Sequence, residues 1–363
     1  MRLARTAALF LTLGLSPDLT TADTLRVATF NTELQRDGPG LFLRDLEQAN
    51  DPQIAAVVEV IARVSPDILA LQGIDWDHDG EALSAFAETL SAAGTDYPHL
   101  FSARPNTGMT TGFDLNGDGR LGEPEDAQGF GAFSGQGGLA VLSRFPILAT
   151  QVQDFSDLLW RDLPGALMPS HEHGSPFPSA EVQAVQRLSA TAHWALPISL
   201  PDGRVLTLLS FHATPPVFDG PEDRNGRRNH DEIRFWELYL DGTFGPAPTE
   251  RFVIAGDANL DPFDSDGVHV AIRTLLDDPR LQDTAPESAG ATVAPDQGHA
   301  GLNQLDTVDW EGPGRLRVDY ILPSADWTVA DSGVFWPAPG EDGREPALAA
   351  SRHRLVWVDL VLD

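Results

Sequence analysis

The sequence contains no cysteine among its 363 residues. Disulfide bridges, thiolate catalysis and cysteine-based zinc or iron–sulfur sites are therefore excluded, and any metal ion must be held by oxygen and nitrogen ligands. Basic residues are also few, because 24 of them stand against 54 acidic residues and leave a formal net charge of −30. A field of that sign repels nucleic acids and anionic membranes, so binding of long duplex DNA through the general surface is disfavoured.

Long apolar runs are absent as well, since nothing after the N-terminal region approaches the roughly 18 uninterrupted apolar residues of a membrane span. The N-terminal region has Arg2 and Arg5, an apolar run over residues 7–15, and small residues at Thr20-Thr21-Ala22. This order predicts a signal peptide over residues 1–22 and a secreted or periplasmic bacterial protein without a membrane anchor. The alternative is an N-terminal tail. We predict no stable protein partner.

The remaining chain, residues 23–363, is predicted to form one globular domain, because 42% of the residues are hydrophobic and only 21% are charged. Short β-rich runs alternate irregularly with helical patterns, which favours an α/β or α+β fold. Two long loops, residues 104–136 and 162–181, are typical of functional segments. The predicted strands are 25–30, 68–72, 138–143, 205–211, 252–255, 317–322 and 355–360, and the predicted helices are 52–64, 81–93, 231–240 and 267–276.

Polar residues occur at the ends of several predicted strands, where sheet-based enzymes collect their ligand groups. Carboxylate and amide oxygens suit Mg²⁺ or Mn²⁺, and an imidazole can handle protons. Taken alone, each residue has an ordinary structural explanation, such as a turn cap or a buried histidine. The residues concerned are Asn31, Gln72, His212, Asp257, Asn259 and Asp319.

Five motifs that contain these residues and two further motifs occur in an order that resembles the endonuclease/exonuclease/phosphatase superfamily. The resemblance extends from about Leu25 to the end of the chain. It implies a four-layer sandwich of two facing mixed β-sheets flanked by helices, and hydrolysis of a phosphate ester assisted by Mg²⁺ or Mn²⁺. The motifs are VATFN at 27–31, DILALQ at 67–72, GLAVLSR at 138–144 followed by PI at 146–147, SFH at 210–212, GDAN at 256–259, RVDYI at 317–321 and SRH at 351–353.

The resemblance also implies a role for each site residue. Asn31 and Asn259 would support the metal–phosphate site, and Asp257 would orient or deprotonate the attacking water. His353, held by Asp319, would stabilise the developing negative charge or move a proton. His212 would contact the phosphate or the leaving group.

Two positions depart from the family pattern. Gly73 stands where the family has a glutamate metal ligand, and Arg352 stands where it has an aspartate. Asp75, or Asp77 beside it, is a candidate to replace the missing glutamate. Arg352 is a candidate phosphate ligand in place of a second metal ion.

An arginine-rich segment over residues 222–234 follows the predicted strand that ends at His212. Guanidinium groups bind phosphate oxygens in bidentate fashion, which favours a phosphate clamp. The alternative is a solvated loop and helix start in which neighbouring acids neutralise the arginines. The candidate phosphate ligands are Arg224, Arg227, Arg228 and Arg234.

Residues 114–125 reproduce the pattern of a twelve-residue calcium loop, placed in an insertion around residues 104–136. Gly119 fits the sharp turn and Leu121 the apolar eighth position. An Asp/Gly-rich surface turn is the alternative. The predicted Ca²⁺ ligands are Asp114, Asn116, Asp118, the carbonyl of Arg120, and Glu125. The run His171-Glu172-His173 is a weaker metal pattern that equally suits an ordinary surface loop.

These patterns predict a metal-dependent phosphoesterase that acts on a small or lipid-derived phosphate ester or on nucleic acid fragments. The alternative is a superfamily member that has lost turnover through Gly73 and Arg352 and serves as a calcium- and anion-binding module. The retained water-orienting and proton-handling residues favour the enzyme.

Overall fold

The computed structural model describes residues 23–295 and 297–362. The predicted signal segment, residues 1–22, lies outside these ranges. Within them, no helix combines the length and the apolar character that a bilayer crossing requires.

The strands and helices alternate along the whole described chain, with several short 3₁₀ turns between them. The strands are β1 (Thr24–Asn31), β2 (Ile68–Ile74), β3 (His99–Phe101), β4 (Gly138–Ser143), β5 (Gln153–Asp154), β6 (His193–Ser199), β7 (Val205–His212), β8 (Phe252–Asp257), β9 (Val308–Trp310), β10 (Gly314–Leu316), β11 (Asp319–Pro323), β12 (Val329–Val334) and β13 (Val356–Val361). The helices are α1 (Leu41–Gln48), α2 (Pro52–Val64), α3 (Glu81–Ala92), α4 (Ala180–Gln183), α5 (Arg224–Leu240), α6 (Val270–Leu276), α7 (Ala289–Thr292) and α8 (Arg344–Ala350).

The strands form two mixed sheets and a small hairpin. The first sheet has the order β12-β13-β1-β2-β4-β3, the second has the order β11-β8-β7-β6-β5, and β9 pairs with β10. Neighbouring strands are antiparallel except for two parallel pairs, β1 with β2 and β7 with β8. Helices flank the sheets, so the predicted sandwich of two mixed sheets is confirmed.

Each sheet buries both of its faces, as the alternation of side chains along β1 illustrates. Leu25 and Val27 pack into the core between the two sheets, whereas Ala28 and Phe30 pack toward the helices of the first sheet. A separate core lies between the second sheet and helices α5 and α6. Because successive residues of a strand point to opposite faces, a strand buried on both faces reads as a continuous apolar run.

Every predicted strand and helix is present, with shifts of a few residues at most of the boundaries. The largest difference is at α5, which was predicted over residues 231–240 and begins at Arg224. Its first two turns contain polar residues that are buried, among them Arg228 and Asn229. Apolar periodicity does not reveal a helical turn that buries polar side chains, which is why the start was missed.

Candidate active site

Strand pairing gathers the predicted site residues at one end of both sheets. In the parallel pair β7–β8, His212 lies opposite Asp257, and in the antiparallel pair β8–β11, Asp257 lies opposite Asp319. In the first sheet, Asn31 ends β1 opposite Gln72. Asn31 then reaches the other sheet, because its Nδ2 donates to Oδ2 of Asp257 at 2.9 Å. Residues far apart in sequence therefore meet where the two sheets adjoin.

Asp257 lies at the centre of this group and is fully buried. Its Oδ1 accepts a hydrogen bond from the backbone N–H of Asn259 at 2.7 Å, and its Oδ2 lies 3.4 Å from Nε2 of His212. Burial alone would raise the pKa of Asp257, but the positive charge of His353 and hydrogen bonds from His212 and Asn31 hold it below its ordinary value. The carboxylate is therefore ionised at neutral pH and can accept a proton.

His353 follows Arg352 and makes an ion pair with Asp319. Nδ1 of His353 lies 3.0 Å from Oδ2 of Asp319 and 3.8 Å from Oδ2 of Asp257. Burial alone would lower the pKa of His353, but the two carboxylates outweigh burial and raise it to about 9. Burial raises the pKa of Asp319. His353 is thus a cation at neutral pH, and a cation is the better partner for a phosphate oxygen.

Thr307 holds Asp319 in place, although no sequence pattern predicts this role. Its Oγ1 donates to Oδ2 of Asp319 at 2.7 Å and accepts the backbone N–H groups of Val318 and Asp319, each at 3.0 Å. Trp310 packs edge-on against the ring of His353, with centroids 5.5 Å apart. Both residues belong to the segment around the β9–β10 hairpin, whose sequence carries no motif that would have identified them.

Asn259 and His212 complete the group beside Asp257. Asn259 adopts a left-handed backbone conformation with φ of 50°, and its Nδ2 donates to the carbonyl of Ala213 at 2.9 Å. This bond joins the segments that follow β7 and β8. The buried Nδ1 of His212 has no hydrogen-bond partner among the described residues. The imidazole of His212 therefore has one nitrogen directed toward Asp257 and one without a partner in the described part of the chain.

Asp75 lies apart from this group. Its two carboxylate oxygens accept the backbone N–H groups of Arg36 at 3.0 Å and of Gly137 at 2.9 Å. Burial raises the pKa of Asp75. The side chain lines a pocket of about 550 Å³ together with Trp76 and Phe133. Asp75 thus ties the end of β2 to two loops, and its role as a metal ligand stays a prediction.

Arg352 pairs with Glu33, a residue that no sequence pattern predicts to belong to the site. Nε of Arg352 donates to Oε1 of Glu33 at 2.7 Å, and the backbone N–H of Arg352 donates to Oε2 at 2.8 Å. Ser351 Oγ donates to the same Oε2 at 3.0 Å. Burial alone would raise the pKa of Glu33, but the hydrogen bond from Arg352 and the charge of His353 lower it.

The four arginines of the arginine-rich segment bind the backbone of neighbouring loops. Arg228 is buried and donates to four carbonyl groups, those of residues 128, 187, 188 and 189. Arg224 donates to the carbonyl of residue 115, Arg227 to that of residue 222 and Arg234 to that of residue 164. No hydrogen bond or ion pair within the described ranges joins these arginines to Asp257 or His353.

The acids of α5 bind loops in the same way. Asp231 accepts hydrogen bonds from Nε1 of Trp160 at 2.6 Å and from the backbone N–H of Leu167 at 2.7 Å. Glu232 accepts the backbone N–H groups of Ala190 at 2.5 Å and of Thr214 at 2.6 Å, and burial raises its pKa to about 7. Helix α5 therefore connects the long loops to the segment that follows His212.

The predicted calcium loop is closed by its own hydrogen bonds. Asp114 accepts the backbone N–H groups of Gly117 at 2.6 Å and of Gly119 at 2.7 Å, and Asp118 accepts that of Arg120 at 2.8 Å. Within residues 23–295 and 297–362, the carboxylates at 114, 118 and 125 do not approach one another closely enough to form a ligand cluster. The predicted Ca²⁺ site, which also includes Asn116 and Glu125, stays a prediction.

His171 and His173 lie near this loop. Their rings stack with centroids 5.3 Å apart, and His171 lines a pocket of about 420 Å³ with Asp114 and Phe177. Nε2 of His173 lies 2.8 Å from Oγ of Ser175. The pair forms no ligand cluster with an acid among the residues that the structure describes.

The donors around Asp257 fit one hard divalent cation. One ligand atom from each of Asp257, Asp319 and His353 lies within 4.8 Å of the others, and no other such group occurs in the described chain. Asn31 adds a side-chain amide that contacts Asp257, and Asn259 lies two residues beyond Asp257, which accepts its backbone N–H. The carboxylate and amide oxygens suit Mg²⁺ or Mn²⁺, whereas the charged His353 has no lone pair to offer a metal ion and would stand beside it as a cation.

A model of the endonuclease/exonuclease/phosphatase family matches residues 28–353, which include every strand-end residue of the site. The chain belongs to this family. The family assignment made from the sequence is thereby confirmed. Members of the family generally hydrolyse phosphate esters and commonly use Mg²⁺.

The solved structures that share the fold include two other family proteins. An endonuclease/exonuclease/phosphatase from Beutenbergia cavernae is 19% identical with a TM-score of 0.53, and the match covers 93% of this chain and 72% of that one. A family protein from Leptotrichia buccalis is 18% identical with a TM-score of 0.52, and the match covers 93% and 100% of the two chains. No curated protein matches the sequence significantly.

Proposed function

We propose that the protein hydrolyses a phosphate ester by attack of water at the cluster around Asp257. The observation that supports this proposal is the meeting of an ionised, buried carboxylate with two imidazoles: His212 lies 3.4 Å and His353 lies 3.8 Å from Oδ2 of Asp257. A group able to accept a proton and a fixed cation both favour attack of water on a phosphate ester.

In the proposed reaction, Asp257 orients a water molecule and accepts its proton as the water oxygen attacks phosphorus. The ester P–O bond breaks as the new P–O bond forms. His353, kept charged by Asp319, stabilises the negative charge that grows on the phosphoryl oxygens. His212 contacts the phosphate or the leaving oxygen, and Asn31 fixes Asp257 through its amide.

A divalent cation, when bound, would add Lewis-acid stabilisation of the phosphoryl oxygens. Asp257, Asn31 and Asn259 would hold Mg²⁺ or Mn²⁺. The chain supplies fewer acids here than the family pattern, because Gly73 and Arg352 replace two of them. The proposed substrate is a small or lipid-derived phosphate ester or a nucleic acid fragment, because the net charge of −30 opposes long duplexes.

Hydrolysis of chromogenic phosphomonoesters and phosphodiesters with Mg²⁺, Mn²⁺ or Ca²⁺ tests this function. The change Asp257→Asn keeps the shape of the side chain and removes its charge, so we expect turnover to fall by about 10²-fold or more. Asp202→Asn is the matched control, because Asp202 is exposed and pairs only locally with Arg204. Equal rates for the two variants would refute the assignment of Asp257.

The second candidate function is an anion-binding module without turnover. The glycine at position 73 and the arginine at position 352, in places where the family pattern has acids, favour it. Phosphate binding without hydrolysis of any ester in any of the three metals would support the module. Turnover that Asp257→Asn abolishes would exclude it.

We also propose export of the protein and a Ca²⁺ site at residues 114–125, both on the sequence pattern. Calcium at millimolar concentration should raise the melting temperature of the mature protein. Asp118→Asn should abolish that rise, whereas Asp96→Asn, on the exposed surface after α3, should preserve it. An identical calcium response in both variants would place the ion elsewhere.

A further inference from the structure

The pair formed by Glu33 and Arg352 lies at the rim of the candidate active site. The Arg352 side chain is 63% exposed, whereas the Glu33 side chain is only 14% exposed. Glu33 is connected to the centre of the site, since its backbone N–H donates to Oδ1 of Asn31 at 3.2 Å and Asn31 donates to Asp257. Arg352 precedes His353 directly. The two residues therefore adjoin the groups that would act on a phosphate.

Glu33 fixes one edge of the guanidinium and leaves the other edge open. Nε and Nη2 of Arg352 both donate to Oε1 of Glu33. Oε2 is taken by the backbone N–H of Arg352 and by Ser351 Oγ, so the carboxylate is held from both sides. Nη1 of Arg352 makes no hydrogen bond to the described residues. A fixed guanidinium with a free edge is suited to bind a phosphate oxygen.

The arginines of α5 are engaged elsewhere. The chain has no lysine, so its fixed positive charges are arginines. The arginines of α5 donate to backbone carbonyls of residues 115, 164, 188 and 222, and Arg228 is buried. In a protein with a net charge of −30, an anion is held only where cations are locally concentrated. Arg352 and the charged His353 provide such a place.

Gly73 makes room for this arrangement. Its backbone is left-handed, with φ of 68°, and a Cβ atom at this position would lie 2.5 Å from Oδ1 of Asn31 and 2.9 Å from the backbone nitrogen of Glu33. Glu33 itself is left-handed, with φ of 50°. A larger residue at position 73 would displace the turn that carries Glu33. The two departures from the family pattern are therefore connected through Glu33, which packs against Gly73 and binds Arg352.

We propose that Glu33 is a positioning residue that holds Arg352 at the rim of the site, where its guanidinium binds a phosphate oxygen of the substrate without needing a divalent cation. This inference deepens the proposed function and rests on it for the identity of the ligand, a phosphate group. Its geometry rests on the Glu33–Arg352 pair alone.

Calorimetric titration of inorganic phosphate into the full-length protein, in the presence of a chelator, tests the inference. We expect binding, and a loss of about tenfold or more in affinity for Arg352→Gln, because charged hydrogen bonds are removed. Arg352→Lys should recover only part of the affinity, since an ammonium lacks the planar edge. Arg63→Gln is the control, because Arg63 also pairs with acids on the surface but lies on α2.

The positioning role of Glu33 has its own readout. Glu33→Gln should weaken phosphate binding in the wild-type background and should have no further effect in Arg352→Gln. A purely structural role would lower affinity equally in both backgrounds. Additive effects of the two substitutions would therefore overturn the assignment of Glu33.

The inference is also overturned if phosphate binds only after Mg²⁺ is added, or if Arg352→Gln binds phosphate as the wild type does. These outcomes are separable from failure of the proposed function. Phosphate binding that depends on Arg352, in a protein that hydrolyses no ester, would refute the hydrolase and keep the anion site. Turnover that depends on Asp257, together with phosphate binding that is unaffected by Arg352→Gln, would support the hydrolase and refute the anion site.

Discussion

The replacement Gly73→Ala should destabilise the protein through two separable costs. The first is the left-handed backbone at position 73, where φ is 68° and a residue with a Cβ pays about 1–2 kcal/mol. The second is overlap, because the new Cβ would lie 2.5 Å from Oδ1 of Asn31 and 2.9 Å from the backbone nitrogen of Glu33. Overpacking of this kind costs about 1–3 kcal/mol.

Gly80→Ala is the matched control for the backbone cost. Gly80 has a φ of 71°, close to that of Gly73, but no atom lies within 4 Å of a Cβ built there. The free energy of unfolding, measured by urea denaturation, should fall by about 1 kcal/mol for Gly80→Ala and by about 3 kcal/mol for Gly73→Ala. The difference of about 2 kcal/mol measures the overlap alone.

Activity provides a second readout for the same pair of variants. Asn31 cannot move away freely, because its amide also donates to Asp257. Gly73→Ala should therefore lower turnover beyond its effect on stability, whereas Gly80→Ala should leave turnover unchanged. Equal losses of unfolding free energy in the two variants would refute the argument that position 73 must be glycine because of its contact with Asn31.

Three further predictions follow from the buried hydrogen bonds. Activity should be lost at alkaline pH near the His353 pKa of about 9. In Asp319→Asn this loss should occur at least about one pH unit lower, because the carboxylate that favours the charged imidazole is removed. Hydrolysis rates measured across pH check the shift. Thr307→Val should lower the free energy of unfolding by about 3 kcal/mol, because three buried hydrogen bonds lose their partner. Arg228→Gln should lower the free energy of unfolding by about 3 kcal/mol, since four carbonyls lose a donor, and should leave phosphate affinity unchanged.

A specific outcome would contradict each of these predictions. Because the pKa of His353 is raised to about 9, its charge stabilises the fold fully below the pKa of about 6.5 that it has in the unfolded chain, and this stabilisation disappears as the pH rises through about 9. An unshifted pH profile of activity in Asp319→Asn would contradict the pairing of His353 with Asp319. Thr307→Ser retains the hydroxyl and should be nearly neutral, so equal losses for serine and valine would disprove the hydrogen-bonding role. A loss of phosphate affinity in Arg228→Gln would contradict this prediction and support the clamp interpretation.

The sequence predicted the strand ends well because each reflects a local pattern. A buried apolar run followed by a polar residue, as at Phe30-Asn31 or Phe211-His212, marks both the strand and its exit. The order of these runs sufficed for the family and the sandwich. What brings the side chains together is the register between strands, such as Asp257 opposite Asp319, and that register depends on the whole sheet.

The supporting residues could not be predicted, because their roles depend on distant partners. In the sequence, Glu33 is an ordinary polar residue after a strand, and its role depends on the bond from Arg352, 319 positions away. Thr307 lies in a loop without apolar periodicity. The arginine-rich segment has the composition of a solvated surface, yet Arg228 is buried, because the backbone carbonyls of residues 128 and 187–189 replace water as its partners.

The bond between Asn31 and Asp257 makes the chemistry sensitive to how the two halves of the sandwich are aligned. Asn31 belongs to one sheet and Asp257 to the other, and the contact is a single hydrogen bond of 2.9 Å. A slip of one ångström between the sheets would break it while leaving every strand intact. On heating, catalysis should consequently be lost before circular dichroism detects unfolding. Replacing Val27 or Trp194, in the core between the sheets, by a smaller residue should lower the inactivation temperature more than the unfolding temperature.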